Sequence, residues 1–495
     1  MRILQVVHTF LPASAGGTEI HTDQLARDLL VQHQVAVLHR VFAPGRPEFT
    51  LVEAEHDGLN VYQLVNNFTW SRAPLFDYFC PGLERPFLEV LHRFRPDLVH
   101  FQHLGGGLST SFLSLAAGQG LPTVVTLHDF WCLCARSHLL TAEGELCPGP
   151  EGGLRCADCR PPAVYAPPLG ESLHALRAEA VRWGWWPTLR RLPGYALSRL
   201  LRPLVDLAPL QRDVDAGVRA ACMARDRYFQ SLLELPDAIL APSRFLAQVF
   251  ERWGVERGRM LHLQNGVDPR GLRRERVPAP GRLRLAYLGS IVPHKGLGVL
   301  IEAMRQLESG AVELCIYGDD QATPETAAYA ATLRRSAQGA AVRFMGPLPH
   351  EEVGRALAAT DALVLPSLLY ENCPLSMLEA LYARVPVIAS GHGGMAELVQ
   401  DGVNGLLFRT GDAGHLAAQI ARLAAQPQLL DSLRQGIRPP PTAAEVSAAV
   451  ERVYGEVLAL RRAGQAGVAA QRALVARLGL APAPSEGEGG PGLAP

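Results

Sequence analysis

The chain has 495 residues, 48% of them apolar and 19% charged, with a formal net charge of −1 at pH 7. That balance is ordinary for soluble globular domains, two or three of them by length, and it excludes a protein whose bulk charge would draw it to nucleic acid. No stretch reaches the roughly 18 consecutive apolar residues of a membrane span.

The opening stretch "MRILQVVHTF" reads as a strand. It has one basic residue, no long apolar core and no small-residue cleavage site, so it is not a secretory leader. With it, residues 34–39, 60–65, 97–103 and 122–129 form short runs rich in Val, Ile or Leu, which predicts buried strands. Helix patterns at 18–31 and 84–94 lie between them. Such alternation predicts a parallel sheet covered by helices on both faces. The pattern breaks at 130. Residues 130–160 read as a Cys-rich loop and 161–235 as an Arg- and Trp-bearing helical insertion. Strands resume at 237–243 and 260–268, closing an N-terminal domain over 1–268, and 269–283 reads as a linker rich in Arg, Pro and Gly.

A second alternating block follows, with strands at 283–290, 312–319, 341–346, 361–367, 385–390 and 404–408. It defines a C-terminal domain over 284–440, then a helical segment over 441–477. The tail, 478–495, has too few bulky apolar groups to fold, which predicts disorder. The expected architecture is α/β, with two Rossmann-like doubly wound domains facing across a cleft. Ligands of such sheets bind beyond the carboxyl ends of the strands, which places the active site in that cleft.

Of the 47 basic side chains, only Lys295 is a lysine. It follows a strand ending at Gly289 and precedes a helix expected near Gly296. A helix N-terminus offers unpaired N–H groups and partial positive charge, an anion site. A compact ammonium there suits a phosphate in a way a planar guanidinium does not. Lys295 is therefore read as the grip on a diphosphate. The second constellation lies in "YENCPLSMLEALYARVPVIASGHGGMAELVQDGVNGLLF" (370–408). Glu371 stands just before a helix that Pro374 can open, and Glu379 stands on that helix. The first carboxylate can meet a sugar held at the N-terminus and the second a diol further along. The N–H groups near Leu375 and Ser376 face an anion.

This string resembles the E-x7-E region of the family 4 retaining glycosyltransferases, which have the GT-B fold. "HTFLPASAGGTEIH", "RPDLVHFQH", "TLHDFW", "APSRF", "NGVD" and "GSIVPHKG" resemble further signatures of that family, in the same order. The resemblance implies a metal-independent hexosyltransferase that uses a UDP- or GDP-linked sugar. It implies that Lys295 contacts the donor diphosphate, Glu371 the transferred sugar and Glu379 the ribose. It implies that Gly16 and Gly17 let backbone approach phosphates or acceptor, that His128 lies near the reacting carbon, and that Gly289, Leu375 and Ser376 shape the phosphate pocket. The catalytic set so implied is His128, Lys295 and Glu371. Two positions depart from the family pattern: Ser290 stands where Arg is frequent, leaving His294 as a substitute cation, and "NCP" (372–374) stands where "FG" is frequent. Both departures mark a subgroup. The acceptor is left open among a glycan, a lipid-linked sugar and a small molecule.

Five of the nine cysteines lie between 132 and 159. The C-x2-C pair Cys156 and Cys159, with Cys134 and Cys147, has the composition of a closed structural zinc site. Unligated thiols and a redox pair are the other readings, and Cys132 is a spare. The resemblance adds a subgroup with similarly spaced cysteines after the HDFW motif. Residues 160–227 hold 11 Arg against 6 acidic residues, with Trp183, Trp185 and Trp186. That composition suits either peripheral docking on an anionic membrane or a packed helical subdomain. A cytoplasmic location, with contact at the inner membrane face, follows as an expectation. His8 and His100 read as packed residues and Asp129 as an orienting one. The rival functions are a non-catalytic sugar-binding scaffold and a sugar-nucleotide epimerase. A phosphorylase is disfavoured because its cofactor lysine would have to be Lys295. A dinucleotide oxidoreductase is disfavoured because "ASAGGTE" lacks the G-x-G-x-x-G spacing.

Overall fold

The computed structural model describes residues 1–14, 16–67, 78–159, 211–272, 281–308, 310–321 and 323–478, with 211–216 described as backbone. The chain divides into two units. Among the described residues, unit 1 comprises Met1–Ala241, Ala247–His262 and the chain from Ser447 to Leu478; unit 2 comprises Pro242–Leu246 and Leu263–Val446.

Unit 1 is built on β1 (Arg2–Val7), β2 (Gln34–Val41), β3 (Leu51–His56), β4 (Leu59–Val65), β5 (Leu98–Phe101), β6 (Thr123–Thr126), β7 (Ala238–Ala241) and β8 (Met260–His262). They form one sheet in the order β3-β4-β2-β1-β5-β6-β7-β8, in which only the β3–β4 pair is antiparallel. The central strands are buried along nearly their whole length, which is why their sequences are continuous apolar runs. The edge strand β3 alternates Leu-Val-Glu-Ala-Glu-His because half of it faces solvent. It joins β4 through Asp57 and Gly58 at φ 46° and 83°, the tight hairpin turn that an Asp-Gly pair favours. Sequence periodicity passed over β3.

The helix Ala443–Arg462, read from sequence as part of a separate segment, belongs to unit 1 from Ser447 onward. Ser447 Oγ donates to Asp28 at 2.7 Å, and Arg461 Nε donates to the buried Asp237 at 2.8 Å. The helix Gly467–Leu478 follows, and its buried Gln471 accepts from Arg259.

Unit 2 is a six-stranded, wholly parallel sheet in the order β11-β10-β9-β12-β13-β14. Its strands are β9 (Leu283–Leu288), β10 (Val312–Tyr317), β11 (Val342–Gly346), β12 (Ala362–Leu365), β13 (Val387–Ser390) and β14 (Gly405–Phe408). Two apolar clusters cover its faces. One gathers around Tyr287, Leu300, Leu314 and Ile420, the other around Ala286, Leu363, Met377 and Met395. The alternation expected from sequence is thus present in both units. Most of the expected insertion (160–210), the middle of the linker (273–280) and the tail beyond Leu478 lie outside the described residues.

Candidate functional site

In unit 2 the strand order reverses at β9, with β10 and β11 on one side and β12 to β14 on the other. Such a reversal opens a crevice at the carboxyl ends of the strands. Lys295 follows β9 on the single turn Pro293–Lys295, and Glu371 follows β12. The helix expected at Gly296 begins one residue later, at Leu297, because Gly296 takes a left-handed conformation at φ 75°. A Cβ there would lie 1.8 Å from the Pro366 carbonyl oxygen, so glycine is what lets the two loops touch. The Leu368 N–H closes the contact by donating to the His294 carbonyl at 2.9 Å.

The result is an ion pair. Lys295 Nζ donates to Glu371 Oε1 at 2.6 Å, and Ser367 Oγ donates to the same oxygen at 2.7 Å. Burial alone would push the Glu371 carboxyl up, but the Lys295 ammonium, the hydrogen bonds from Lys295 and Ser367, and the nearby His294 together hold it below its ordinary value. Glu371 is therefore a carboxylate at neutral pH. The two residues that sequence assigned to separate parts of a ligand sit in direct contact. Ser290 is exposed, and its carbonyl accepts from Tyr287 Oη at 2.7 Å.

Beyond Pro374 runs the helix Leu375–Tyr382. Its first backbone bonds return to the Pro374 carbonyl from Met377 and Leu378, at 3.1 and 3.2 Å. The N–H groups of Leu375 and Ser376 precede that ladder, as a first helical turn requires. The glycine pair of "GHGG" packs backbone on backbone against the Glu371 loop. The Gly394 N–H donates to the Glu371 carbonyl at 2.7 Å, and a Cβ on Gly394 would meet Asn372 O at 1.7 Å. Glu379 lies 3.5 Å from His350 Nδ1. Burial first, and then the Asp268 carboxylate, push Glu379 up to about 7. Asp268 is itself clasped by Arg270, from Nε at 2.9 and 3.0 Å and from a terminal nitrogen at 2.6 Å.

Unit 1 reverses its strand order at β1, between β2 and β5. His8 follows β1, and Gly16 and Gly17 open the helix Gly17–Leu30. Glu19 in its first turn is buried, accepts from Thr9 Oγ1 and, at 3.1 Å, from Ser14 Oγ, and lies 3.4 Å from His8 Nε2. His103 follows β5. Its Nδ1 accepts from the Gly105 N–H at 3.0 Å, so its Nε2 carries the proton and donates to Asp129 Oδ2 at 3.2 Å. Asp129 Oδ1 accepts from the Trp131 N–H at 2.8 Å. The His8 and His103 rings stand 4.4 Å apart, and the His21 and His128 rings 5.1 Å apart. His128 Nε2 bonds Gln102 Oε1 at 2.9 Å.

Burial pushes His21 down to about 4, and burial with the neighbouring His103 does the same to His8. His128 falls well below 6.5 through burial and the facing His21, His103, His100 and His8. His8, His21 and His128 are thus neutral imidazoles gathered at this end of unit 1. His100 is fully buried with both nitrogens bonded, the packed residue expected from sequence. His8, also expected to be packed, stands in the cluster with 26% of its side chain exposed. Glu19, His21 and His103 were missed. For Glu19 and His21 the signal was "GGTEIH", a carboxylate and an imidazole on the first turns of a helix that follows a strand end.

The cysteines lie behind His128. All are free thiols. Cys147 ends a small antiparallel ladder in which Leu140 pairs with Leu146. Cys156 lies on the short helix Leu154–Asp158, packed against Val218 and Cys222 of the helix Gln211–Leu232. Among the described residues, no three His, Cys, Asp or Glu side chains come together as a metal-binding group. Cys134, Cys147, Cys156 and Cys159 nonetheless lie within electrostatic reach of one another, the last three thiols each raised by burial first and in part by Cys134. What holds the loop after His128 is Arg225. Its guanidinium donates to the Cys132 carbonyl at 3.1 Å and to the Trp131 carbonyl, and stacks 4.4 Å from the Phe229 ring. Trp183, Trp185 and Trp186 lie outside the described residues. No described helix is long and apolar enough to cross a membrane.

Two stretches of the chain are similar to known families. Residues 15–144 match the family described as Glycosyltransferase Family 4, and residues 282–426 match Glycosyl transferases group 1. Over these two stretches the chain is similar to family 4-type glycosyltransferases, and its two parallel-sheet α/β units share the fold of GT-B structures. It is 37% identical over 151 residues to the amylovoran biosynthesis glycosyltransferase AmsK of Erwinia amylovora, covering 29% of this chain and 36% of that one. It is 27% identical over 224 residues to the putative colanic acid biosynthesis glycosyltransferase WcaL of Salmonella typhimurium, covering 44% of this chain and 55% of that one. The matches thus span about a third to about half of these relatives' length. Among solved structures, sucrose-phosphate synthase from Thermosynechococcus elongatus aligns with a TM-score of 0.62 at 18% identity, covering 92% of this chain and 99% of that one. Anabaena HepE in complex with UDP and glucose aligns at 0.58 and 16%, with the same coverages.

Proposed function

We propose that the protein transfers a hexosyl group from a nucleotide-diphosphate sugar to an acceptor hydroxyl, with retention of anomeric configuration. The observation that carries this reading is the Lys295–Glu371 pair, with Ser367 on the same carboxylate oxygen, at the switch point of unit 2. An ammonium has three N–H donors, and Glu371 occupies one. The others serve the departing diphosphate, together with the N–H groups of Leu375 and Ser376. Glu371, kept ionised, accepts hydroxyls of the transferred sugar, and Glu379 takes the ribose diol. Charge grows on the leaving diphosphate as the glycosidic bond breaks, so a preorganised ammonium stabilises the transition state more than the ground state. Lys295 and the peptide dipoles suffice for this role without a divalent ion. Retention follows if the departing phosphate accepts the acceptor's proton on the same face.

His128, at the carboxyl end of β6, is the acceptor-side residue of unit 1. The names of AmsK and WcaL support a part in polysaccharide biosynthesis, and the acceptor is taken to be a glycan or lipid-linked sugar. The ligands of HepE support UDP-glucose as the first donor to try. A thermal-shift panel of UDP-, GDP- and ADP-glucose tests the reading. One nucleotide sugar should raise Tm by several degrees in the wild type and not in Lys295→Ala. No rise with any of the three, together with no sugar transfer or donor hydrolysis, would favour the scaffold reading.

A further inference from the structure

We propose that Gln102 is the positioning residue of His128, and that it acts as the last link of a buried hydrogen-bond relay reaching from Tyr454 through Gln5. The significance of this relay for catalysis rests on the acceptor-side role given to His128 above.

The links are continuous. Gln5 Nε2 donates to Tyr454 Oη at 3.1 Å, and Gln102 Nε2 donates to Gln5 Oε1 at 2.9 Å. His128 Nε2 meets Gln102 Oε1 at 2.9 Å. Tyr454 Oη meets His100 Nδ1 at 2.6 Å, and His100 Nε2 meets Thr126 Oγ1 at 2.7 Å. Gln5, His100, Gln102 and Tyr454 are each 0% exposed, so water does not compete for these bonds. The chain of contacts crosses β1, β5 and the end of β6 and finishes on the helix Ala443–Arg462.

Proton counting fixes the tautomers. With the amides oriented as above, Tyr454 Oη receives a proton from Gln5 and must give its own to His100 Nδ1. His100 then carries its proton on Nε2 and donates to Thr126. Gln102 presents a carbonyl oxygen to His128, which must therefore carry its proton on Nε2. Reversing one amide alone would set two oxygens or two NH2 groups face to face. The arrangement flips as a whole or not at all, and the tautomer of His128 is locked to that of His100 both through Gln5 and Tyr454 and through Gln102 itself, whose Nε2 lies 3.3 Å from His100 Nδ1. Buried networks in which every group is satisfied hold single arrangements of this kind. The groups facing His128 are His21 from the helix Gly17–Leu30, His103 and His100 from β5 and its end, and His8 from the end of β1, all of which oppose its protonation. Asp129 is its chain neighbour and is engaged with His103.

Full-length protein labelled with 15N in its histidine rings tests this, with the His128 signals assigned by their loss in His128→Asn. In the wild type, Nε2 should bear the proton and Nδ1 should not, with no titration near pH 6.5. In Gln102→Glu the new carboxylate should favour the charged ring, so His128 should take up a proton at higher pH. In Tyr454→Phe, His100 Nδ1 keeps only its longer 3.3 Å contact with Gln102 Nε2, so the His100 and His128 signals should both shift from their wild-type positions. A wild-type His128 protonated on Nδ1 would overturn the proposal. So would variants that melt like the wild type yet leave the His128 spectrum unchanged. The spectra need no substrate, so they report on the relay even if the transferase reading fails.

Discussion

The two switch points use opposite electrostatics. Unit 2 gathers full charges: Lys295 against Glu371, and Arg270 against Asp268. Unit 1 gathers imidazoles that burial keeps neutral, among them His8, His21, His100 and His128. A site that must stabilise a charged leaving group needs preorganised charge. At the unit 1 end the neutral imidazoles supply oriented donors and acceptors, and the carboxylates beside them, Glu19 and Asp129, are engaged with His8 and His103. The contrast is what a division of labour between donor-side and acceptor-side groups would require.

The harshest way to break the comparison is to remove the ammonium. Lys295→Ala should cut kcat/KM for sugar transfer by about 10²–10³-fold, the scale of one lost preorganised donor. It should also leave Glu371 as a buried carboxylate without its counter-charge. Lys295→Arg should rescue little, because a planar fork cannot occupy the place of a point charge. Steady-state kinetics on the donor identified by thermal shift reads both.

A subtler test uses pH, where the two ends should respond in opposite senses. The unit 1 histidines have folded pKa values below the unfolded value. Their contribution is fully present above about 6.5 and is lost as pH falls toward the folded values of about 4 for His8 and His21 and about 3 for His100. Hydrogen exchange corrected for intrinsic rate should show β1 and β5 loosening between pH 7 and pH 5, with β9 and β12 holding. Equal loosening in both units would erase the distinction. The smallest effect is expected at Glu379, whose folded pKa is raised to about 7. Its contribution is present below its unfolded value near 4.5 and lost as pH rises through about 7. Glu379→Gln should therefore raise Tm by a few degrees at pH 8 and by nearly nothing at pH 4.5, even as it weakens nucleotide binding.

Much of the architecture is readable in the sequence. The parallel strands are continuous apolar runs because both of their faces are covered, and their order of appearance gave the two α/β units. Lys295, Glu371 and Glu379 stood out because residue type and placement at helix starts carry chemistry on their own. The edge strand β3 escaped because it alternates, although its Asp-Gly turn was there to be read. Contacts between distant residues were not legible. Lys295 and Glu371 are 76 positions apart, and nothing local says that Gly296 lets their loops touch. Glu19, His21 and His103 became visible only when the ends of β1 and β5 came together. The glutamine–tyrosine relay was beyond sequence reading for the same reason. Two glutamines on apolar strands look like blemishes until a tyrosine some 450 residues away supplies their partner.

That tyrosine also sets an order of events during synthesis. All six strands of unit 2 have left the ribosome before Tyr454 is made. Until then β1 carries an amide with no hydroxyl to receive it, in a sheet interior from which water must leave. Unit 1 should therefore reach its native packing last, waiting on a helix translated after every strand of unit 2.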